Sequence, residues 1–244
     1  MMSDPSGVRL QKYVADCGLM SRRAAEEKIL DGSIRVNGEQ VEVGRKIDPG
    51  TDEVTYLGKP VSEPKFRKYY YIMLNKPRGY VTTMKDEQGR KCVAELVSDV
   101  GARVFPCGRL DIDSEGLLIM TNDGMLANRL THPSHHIPKY YTVSVRGKIA
   151  ERQLKKLNSA MEIDGTPIRP AEVEILSMTD DSTSLGFTLY EGKNRQIRKM
   201  CEKVGITVTR LKRVAVGQIE LGTLKSGKWR HLTRAQVDYL RNYK

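Results

Sequence analysis

Near the start of the chain, apolar residues recur at helical spacing. In "RLQKYVADCG", Leu10, Tyr13 and Val14 fall on one face, which predicts a short amphipathic helix ending near Gly18. Ser21 is placed to cap a second helix, "RRAAEEKIL", which stops at Asp31-Gly32. In "SIRVNGEQVEV" the pattern changes to two short strands about Asn37-Gly38, a dipeptide suited to both central positions of a tight hairpin turn. Two helices and a hairpin predict a small α/β module over residues 1–60. The polar, proline-punctuated "GKPVSEPKFRK" then predicts a linker at 61–68.

From residue 69 onward strand patterns dominate. "YYYIMLNKPRGYVTT" predicts two strands divided by Asn75-Lys76-Pro77 and Gly79, with the dividing loop beside a site. Further strands are expected at "LLIMT", "YYTVSVRG", "AEVEIL", "SLGFTLYEG" and "TVTRLKRVAVGQIEL". Helices are expected near 92–98, 124–131, 150–159, 195–204 and 233–241. Leu110 and the run Leu117 to Ile119 are expected in the core. The strands do not alternate regularly with helices, so the class is α+β, with a mixed, largely antiparallel sheet forming a catalytic domain over 69–244. No apolar run approaches the ~20 residues of a membrane span, and "MMSDPSG" has neither a charged nor an apolar leader segment. The expectation is a cytoplasmic monomer without a membrane partner.

Charge sharpens this division. The net charge is +11, yet residues 1–64 hold 9 basic and 11 acidic side chains, so the whole excess lies in the remainder, 32 basic against 19 acidic. Such an excess suits a polyanion bound through phosphate contacts, or a merely solvated basic surface. The four cysteines, Cys17, Cys92, Cys107 and Cys201, form no C-x-x-C pair, which leaves reduced thiols as the expectation.

The candidate chemistry begins at "GRLDIDSEGLLIMTND", residues 108–123, where Asp111, Asp113 and Glu115 occupy every second position before an apolar run. An extended segment would put all three on one side, as in a magnesium site, whereas Ser114-Glu115-Gly116 reads as a turn. A single structural carboxylate and a carboxylate nucleophile are the other readings. No phosphate-cradling glycine loop accompanies the ladder. His132, His135 and His136 imitate metal spacing, but Pro133 interrupts a helix there and no acidic ligand is close in sequence, so polar contact with a bound polyanion or loop packing is expected and no metal. Residues 193–213 carry eight basic side chains against Glu202 alone.

Taken in order, "RLQKYVADCGLMSRRAAEEKILDGSIRVNG" resembles the S4 RNA-binding domain. Behind it, "FPCGRLDIDSEGLLIMTNDG", "KYYTVSV" and "EGKNRQIRKM" resemble the RsuA/RluB/RluE/RluF family of ribosomal RNA pseudouridine synthases, in its RluB-like group. The similarity runs from about Val8 to Leu240, without the long basic C-terminal tail of some members. It implies isomerisation of a uridine within ribosomal RNA: the bond from ribose C1′ to uracil N1 breaks, the base turns and C5 bonds instead. No cofactor is needed.

The resemblance makes Asp111 the nucleophile, or the group that begins glycosidic cleavage, and Arg198 the cation that holds it ionised. It makes Tyr141 the strand residue that packs on the base and takes the C5 proton, with Tyr140 on the opposite face. Arg109 is the candidate to fill the space vacated by an extruded uridine. Arg195 and Lys199 are read as RNA backbone contacts. In the S4-like module the RNA face is carried onto Arg22, Arg23, Arg35 and Asn37, with Lys12 a weaker member. The implied partner is large-subunit rRNA, the small-subunit RNA being the alternative, either naked or in an assembling subunit. Two other classes stay open at this point: a magnesium-dependent phosphotransferase or nuclease using the D-x-D ladder, and a ribosome-binding protein without catalysis.

Overall fold

In the computed structural model, which describes residues 7–62 and 68–243, the apolar pattern around Leu10 becomes helix α1 (Leu10–Asp16), with Leu10, Tyr13 and Val14 buried. Ser21 caps α2 (Arg22–Leu30), its hydroxyl accepting from the Ala24 amide at 3.1 Å. β1 (Ile34–Val36) and β2 (Glu39–Gln40) meet at Asn37 and Gly38, whose φ values of 52° and 80° are those of a primed hairpin turn. β1 also pairs with β3 (Val54–Tyr56), and β3 with β4 (Lys59–Pro60), and the small sheet closes over Val14, Ala25 and Ile29. Residues 63–67, within the expected linker, lie outside the described residues.

The chain divides into two units, residues 1–68 and 69–244. The second is built on one large sheet: β5 (Tyr71–Lys76), β6 (Glu115–Thr121), β7 (Lys139–Arg146), the β8–β9 hairpin (Met161–Ile163 and Thr166–Ile168) beside it, then β10 (Glu172–Met178), β11 (Ser182–Leu189), β12 (Val208–Val216) and β13 (Trp229–His231). The order across the sheet is β10-β11-β7-β12-β6-β5-β13. Every ladder along it is antiparallel except β12 with β6. This is a mixed, largely antiparallel α+β architecture. Helices α3 (Gly124–Thr131), α4 (Glu151–Leu157), α5 (Gln196–Lys203) and α6 (Arg234–Asn242) cover its faces, and their buried positions Leu126, Leu157, Ile197, Met200 and Leu240 join the sheet's cores.

Two expectations are corrected here. The second strand expected within "KPRGYVTT" does not form; its backbone makes only an isolated bridge, Val81 with Cys92. Its polar groups are spent on the loop that follows Gly108: the Gly79 amide donates to Ile112 O at 2.7 Å, and the Thr82 hydroxyl donates to Leu110 O at 2.6 Å while accepting from Leu110 N. The helix expected at 92–98 is a 3₁₀ segment, Glu95–Val100. The β8–β9 hairpin, turning at Asp164-Gly165, was not anticipated.

Asp123 ties this framework together. It is 2% exposed, caps α3 by accepting from the Met125 and Leu126 amides, and accepts from Tyr71 Oη at 2.9 Å and Arg241 Nη2 at 3.2 Å. Burial pushes its carboxyl pKa up, but the Leu126 amide, the Tyr71 hydroxyl and the Arg241 guanidinium outweigh it and hold the group below the usual carboxylate value. The stability this supplies is therefore present above the unfolded value of ~3.9 and lost as pH falls through the folded one. Asp123→Asn should cost about 3 kcal/mol at neutral pH in urea unfolding, and the gap to wild type should close as pH drops below ~4. A gap that stays constant would show that the charge contributes nothing.

Candidate active site

The loop from Cys107 to Ser114 is fixed before any side chain is considered. The Ser114 amide closes a turn on Asp111 O at 3.0 Å, and Gly108, at φ 87°, lets the chain enter it. Beneath the turn lies Lys76, the last residue of β5 and 0% exposed. Its ammonium donates to the carbonyls of Ser114 at 2.8 Å, Asp111 at 3.0 Å and Pro77 at 3.1 Å. Burial lowers its pKa to about 8, against the opposing pull of Asp111 and Asp113. Gly116, at φ 108°, holds the other end of the turn against β12, since a Cβ there would lie 2.2 Å from the Arg213 carbonyl oxygen.

The three carboxylates of the ladder do not form one set. Glu115 leaves the turn and pairs with Arg210, at 2.6 and 2.8 Å. Asp113 Oδ2 lies 3.1 Å from Arg195 Nη2 and 3.2 Å from Arg198 Nε, and Arg198 Nη2 donates to the Asp113 carbonyl at 3.0 Å. Burial raises the Asp113 pKa, but the two guanidiniums outweigh it and the net shift is downward. Asp111 faces a cavity of about 420 Å³ lined also by Arg109, Lys139, Tyr141, Arg198 and Arg213. Arg195 Nη1 stands 3.9 Å from its Oδ2, beyond hydrogen-bond distance.

Arg198 makes its direct contacts with Asp113, while the Asp111 charge still acts on its guanidinium from farther away, and Arg195 is the cation facing both carboxylates. Arg195 occupies the α5 N-cap in a left-handed conformation (φ 51°), and Arg198, three residues on, falls on the same side of the helix. Lys199 turns away and is held by Asp164 at 2.5 Å and Asn194 at 3.2 Å. Tyr141 lines the cavity, while Tyr140, 38% exposed, is on the other face of β7. Arg109 is exposed at the cavity rim.

The histidines make separate polar contacts, His132 Nδ1 lying 2.7 Å from Ser134 Oγ and His136 Nε2 3.0 Å from Arg169 Nη2, while the His132 and His135 rings meet edge to face at 6.0 Å. Among the described residues no three His, Cys, Asp or Glu side chains group as metal ligands. No described helix is long and apolar enough to cross a membrane.

In the first unit Arg22, Arg23 and Arg35 are exposed. The Asn37 side chain, by contrast, is engaged within the module, donating to Asp52 at 2.9 Å and accepting from the Glu53 amide at 2.8 Å. Lys12 is paired with Asp16 at 2.6 Å. Sequence reasoning put Lys76 in a loop beside the site rather than buried beneath the turn, and it missed Lys139 and Arg213. The only signal for Lys76 was a lysine ending an otherwise apolar strand.

Comparison with known proteins decides the family. A model of RNA pseudouridylate synthases matches residues 70–203, and one of the S4 domain matches residues 8–53. The chain belongs to the RNA pseudouridylate synthase family. It is 42% identical to an uncharacterized RNA pseudouridine synthase of Aquifex aeolicus, over 96% of this chain and 93% of that one. It is 38% identical to the ribosomal large subunit pseudouridine synthase B of Bacillus subtilis, over 96% and 95%. The crystal structure of a pseudouridylate synthase superposes with a TM-score of 0.69 at 28% identity, covering 96% of this chain and 99% of that one. A pseudouridine synthase is an isomerase, and its S4 domain marks it as RNA-binding.

In this synthase Lys76→Met keeps the apolar volume but leaves buried carbonyls without a donor. Unfolding in urea at pH 7 should show a loss of about 3 kcal/mol, with a fall in pseudouridine formation at temperatures where the variant is still folded. The folded pKa near 8 lies below the unfolded value of ~10.4, so the cost of burying the charge is present below pH 8 and relieved as pH rises between the two values. The stability gap to Lys76→Met should therefore widen from about pH 8 to 10. Equal stability and activity would remove Lys76 from the account.

Proposed function

We propose that this chain converts a uridine of ribosomal RNA, in the large subunit, to pseudouridine, with Asp111 beginning cleavage of the glycosidic bond. The observation that carries the reading is the division of labour between neighbouring carboxylates. Asp113 is occupied by two guanidiniums, whereas the Asp111 side chain is 36% exposed at the cavity with its nearest cation at 3.9 Å. A carboxylate so placed can take ribose C1′ while the base departs with the bonding pair.

The base then turns, C5 bonds to C1′ as the carboxylate leaves, C5 loses its proton and N1 gains one. Tyr141 packs on the base and accepts the C5 proton. The uridine reaches the cavity only when extruded, at a cost of ~ a few kcal/mol, and Arg109 at the rim fills the space it leaves. Arg22, Arg23 and Arg35 contact RNA from the S4 unit, while the basic excess outside residues 1–64 supplies phosphate contacts. The large-subunit assignment is supported by the names of relatives such as the Bacillus subtilis enzyme. No electrons or external groups are exchanged, so the isomerisation needs no metal.

Release of tritium from C5 of labelled uridine in unmodified large-subunit rRNA tests this. Wild type should release it with or without EDTA, and Asp111→Ala should not. Release by Asp111→Ala would remove the carboxylate from the chemistry. No release by wild type from large-subunit RNA, with release from small-subunit RNA, would reassign the substrate.

A further inference from the structure

β7 presents Lys139 and Tyr141, two residues apart and so on one face, to the same cavity. Arg213 of β12, the cross-strand partner of Tyr141, lines it beside them. Arg213 is 5% exposed, and its Nε donates to Leu117 O at 2.7 Å, which fixes the guanidinium plane. Among the described residues neither cation has a carboxylate ion-pair partner. Asp111 lies toward Arg195, and Glu191 accepts from Gln196 Nε2 and the Arg169 amide. Burial first, and then the neighbouring Arg213, push the Lys139 ammonium down to about 8.

A buried guanidinium beside a half-buried ammonium, without a carboxylate counter-charge, opposes folding. Such an arrangement is sustained where a bound group supplies the missing negative charge. A backbone phosphate, which stays on the outside of an RNA strand, is a poor match for a guanidinium this deep. An extruded base reaches it, because Tyr141, the residue that packs on the base in the reaction described above, is its cross-strand neighbour.

We infer that Lys139 and Arg213 are the site that receives the negative charge of the detached uracil. When C1′–N1 breaks with both electrons passing to the base and C1′ passing to the Asp111 carboxylate, the charge spreads over N1, O2 and O4. The N–H groups of Lys139 and Arg213 donate to the carbonyl oxygens O2 and O4 as that charge develops. The charge is consumed when C5 bonds to C1′, and the proton lost from C5 is balanced by the one gained at N1. The inference rests on the uridine isomerase reading.

The test uses the full chain and a large-subunit rRNA transcript under single-turnover conditions, with wild type, Lys139→Met and Lys139→Arg. Lys139→Met should slow the conversion about 100-fold while RNA affinity stays within about threefold, and Lys139→Arg should recover part of the rate. Replacing the target uridine by 5-fluorouridine, whose fluorine stabilises the departing anion, should shrink the effect of Lys139→Met on bond cleavage. Because the variant removes a half-buried cation that has no carboxylate partner, it should unfold at no lower a urea concentration than wild type.

A loss of RNA affinity with the rate retained would make Lys139 a phosphate contact and overturn the inference. An effect equal in uridine and 5-fluorouridine substrates, or a lowered urea midpoint, would make it structural and also overturn it. Failure of wild type to convert any transcript would be a different result, striking the isomerase reading itself.

Discussion

Three carbonyl oxygens converge on one buried ammonium, and the geometry of the site follows from that contact. A lysine taken wholly out of water loses its hydration, and only good acceptors on several sides make this tolerable. Lys76 finds them in Pro77, Asp111 and Ser114, so the end of β5 and the turn before β6 cannot move independently. Gly116 adds a second constraint, since its missing side chain lets the turn lie directly on the Arg213 backbone at the parallel β6–β12 contact. The Asp111 side chain therefore inherits its position from the centre of the sheet. Thr82 and Gly79 close the loop from the outer side through hydrogen bonds to Leu110 and Ile112. In the proposed reaction the Asp111 carboxylate benefits from this, because small displacements of reacting groups are costly in rate.

Around that fixed point the charges fall into two kinds. Arg195, Arg198 and Arg210 are matched with Asp113 or Glu115. Lys139 and Arg213 stand deeper and are matched with none among the described residues. Matched pairs largely cancel at a distance, so they contribute shape and rigidity more than field. Unmatched cations dominate the local potential of the cavity, and their effect is largest on a group that enters it, displaces water and becomes negative there. Asp113 thus shapes the site indirectly: by occupying the two guanidiniums of α5 it leaves Asp111 without a direct hydrogen bond from either.

Much of this frame was legible because it is periodic. Leu10, Tyr13 and Val14 marked α1, Asn37-Gly38 marked the hairpin, and once the resemblance in "KYYTVSV" had selected Tyr141, strand alternation put Tyr140 on the opposite face. The segment "KPRGYVTT" misled because its β-prone residues satisfy their backbone through a loop instead of a ladder, a choice made by tertiary contacts. The partner of Arg198 was out of reach for a related reason. It depends on the left-handed N-cap at Arg195 and on which of two acidic residues the helix face meets. Lys76 was read as part of a loop because lysine ordinarily sits at the surface, and its three acceptors come from backbone, which carries no sequence signature.

The S4 unit shows the same logic in weaker form. Arg22 and Arg23 open α2, where the helix dipole is positive and each cation is disfavoured by roughly 0.3–1 kcal/mol. Neither is buried, so packing does not hold them there. A phosphate at the start of α2 would meet both guanidiniums together with the favourable end of the helix dipole, turning a local cost in the free protein into affinity in the complex. Asn37 does not share this logic, because its amide already joins Asp52 and Glu53 and could reach RNA only by releasing them. The side chains this unit leaves available at its surface are therefore the exposed arginines, with Asn37 setting the turn that follows Arg35.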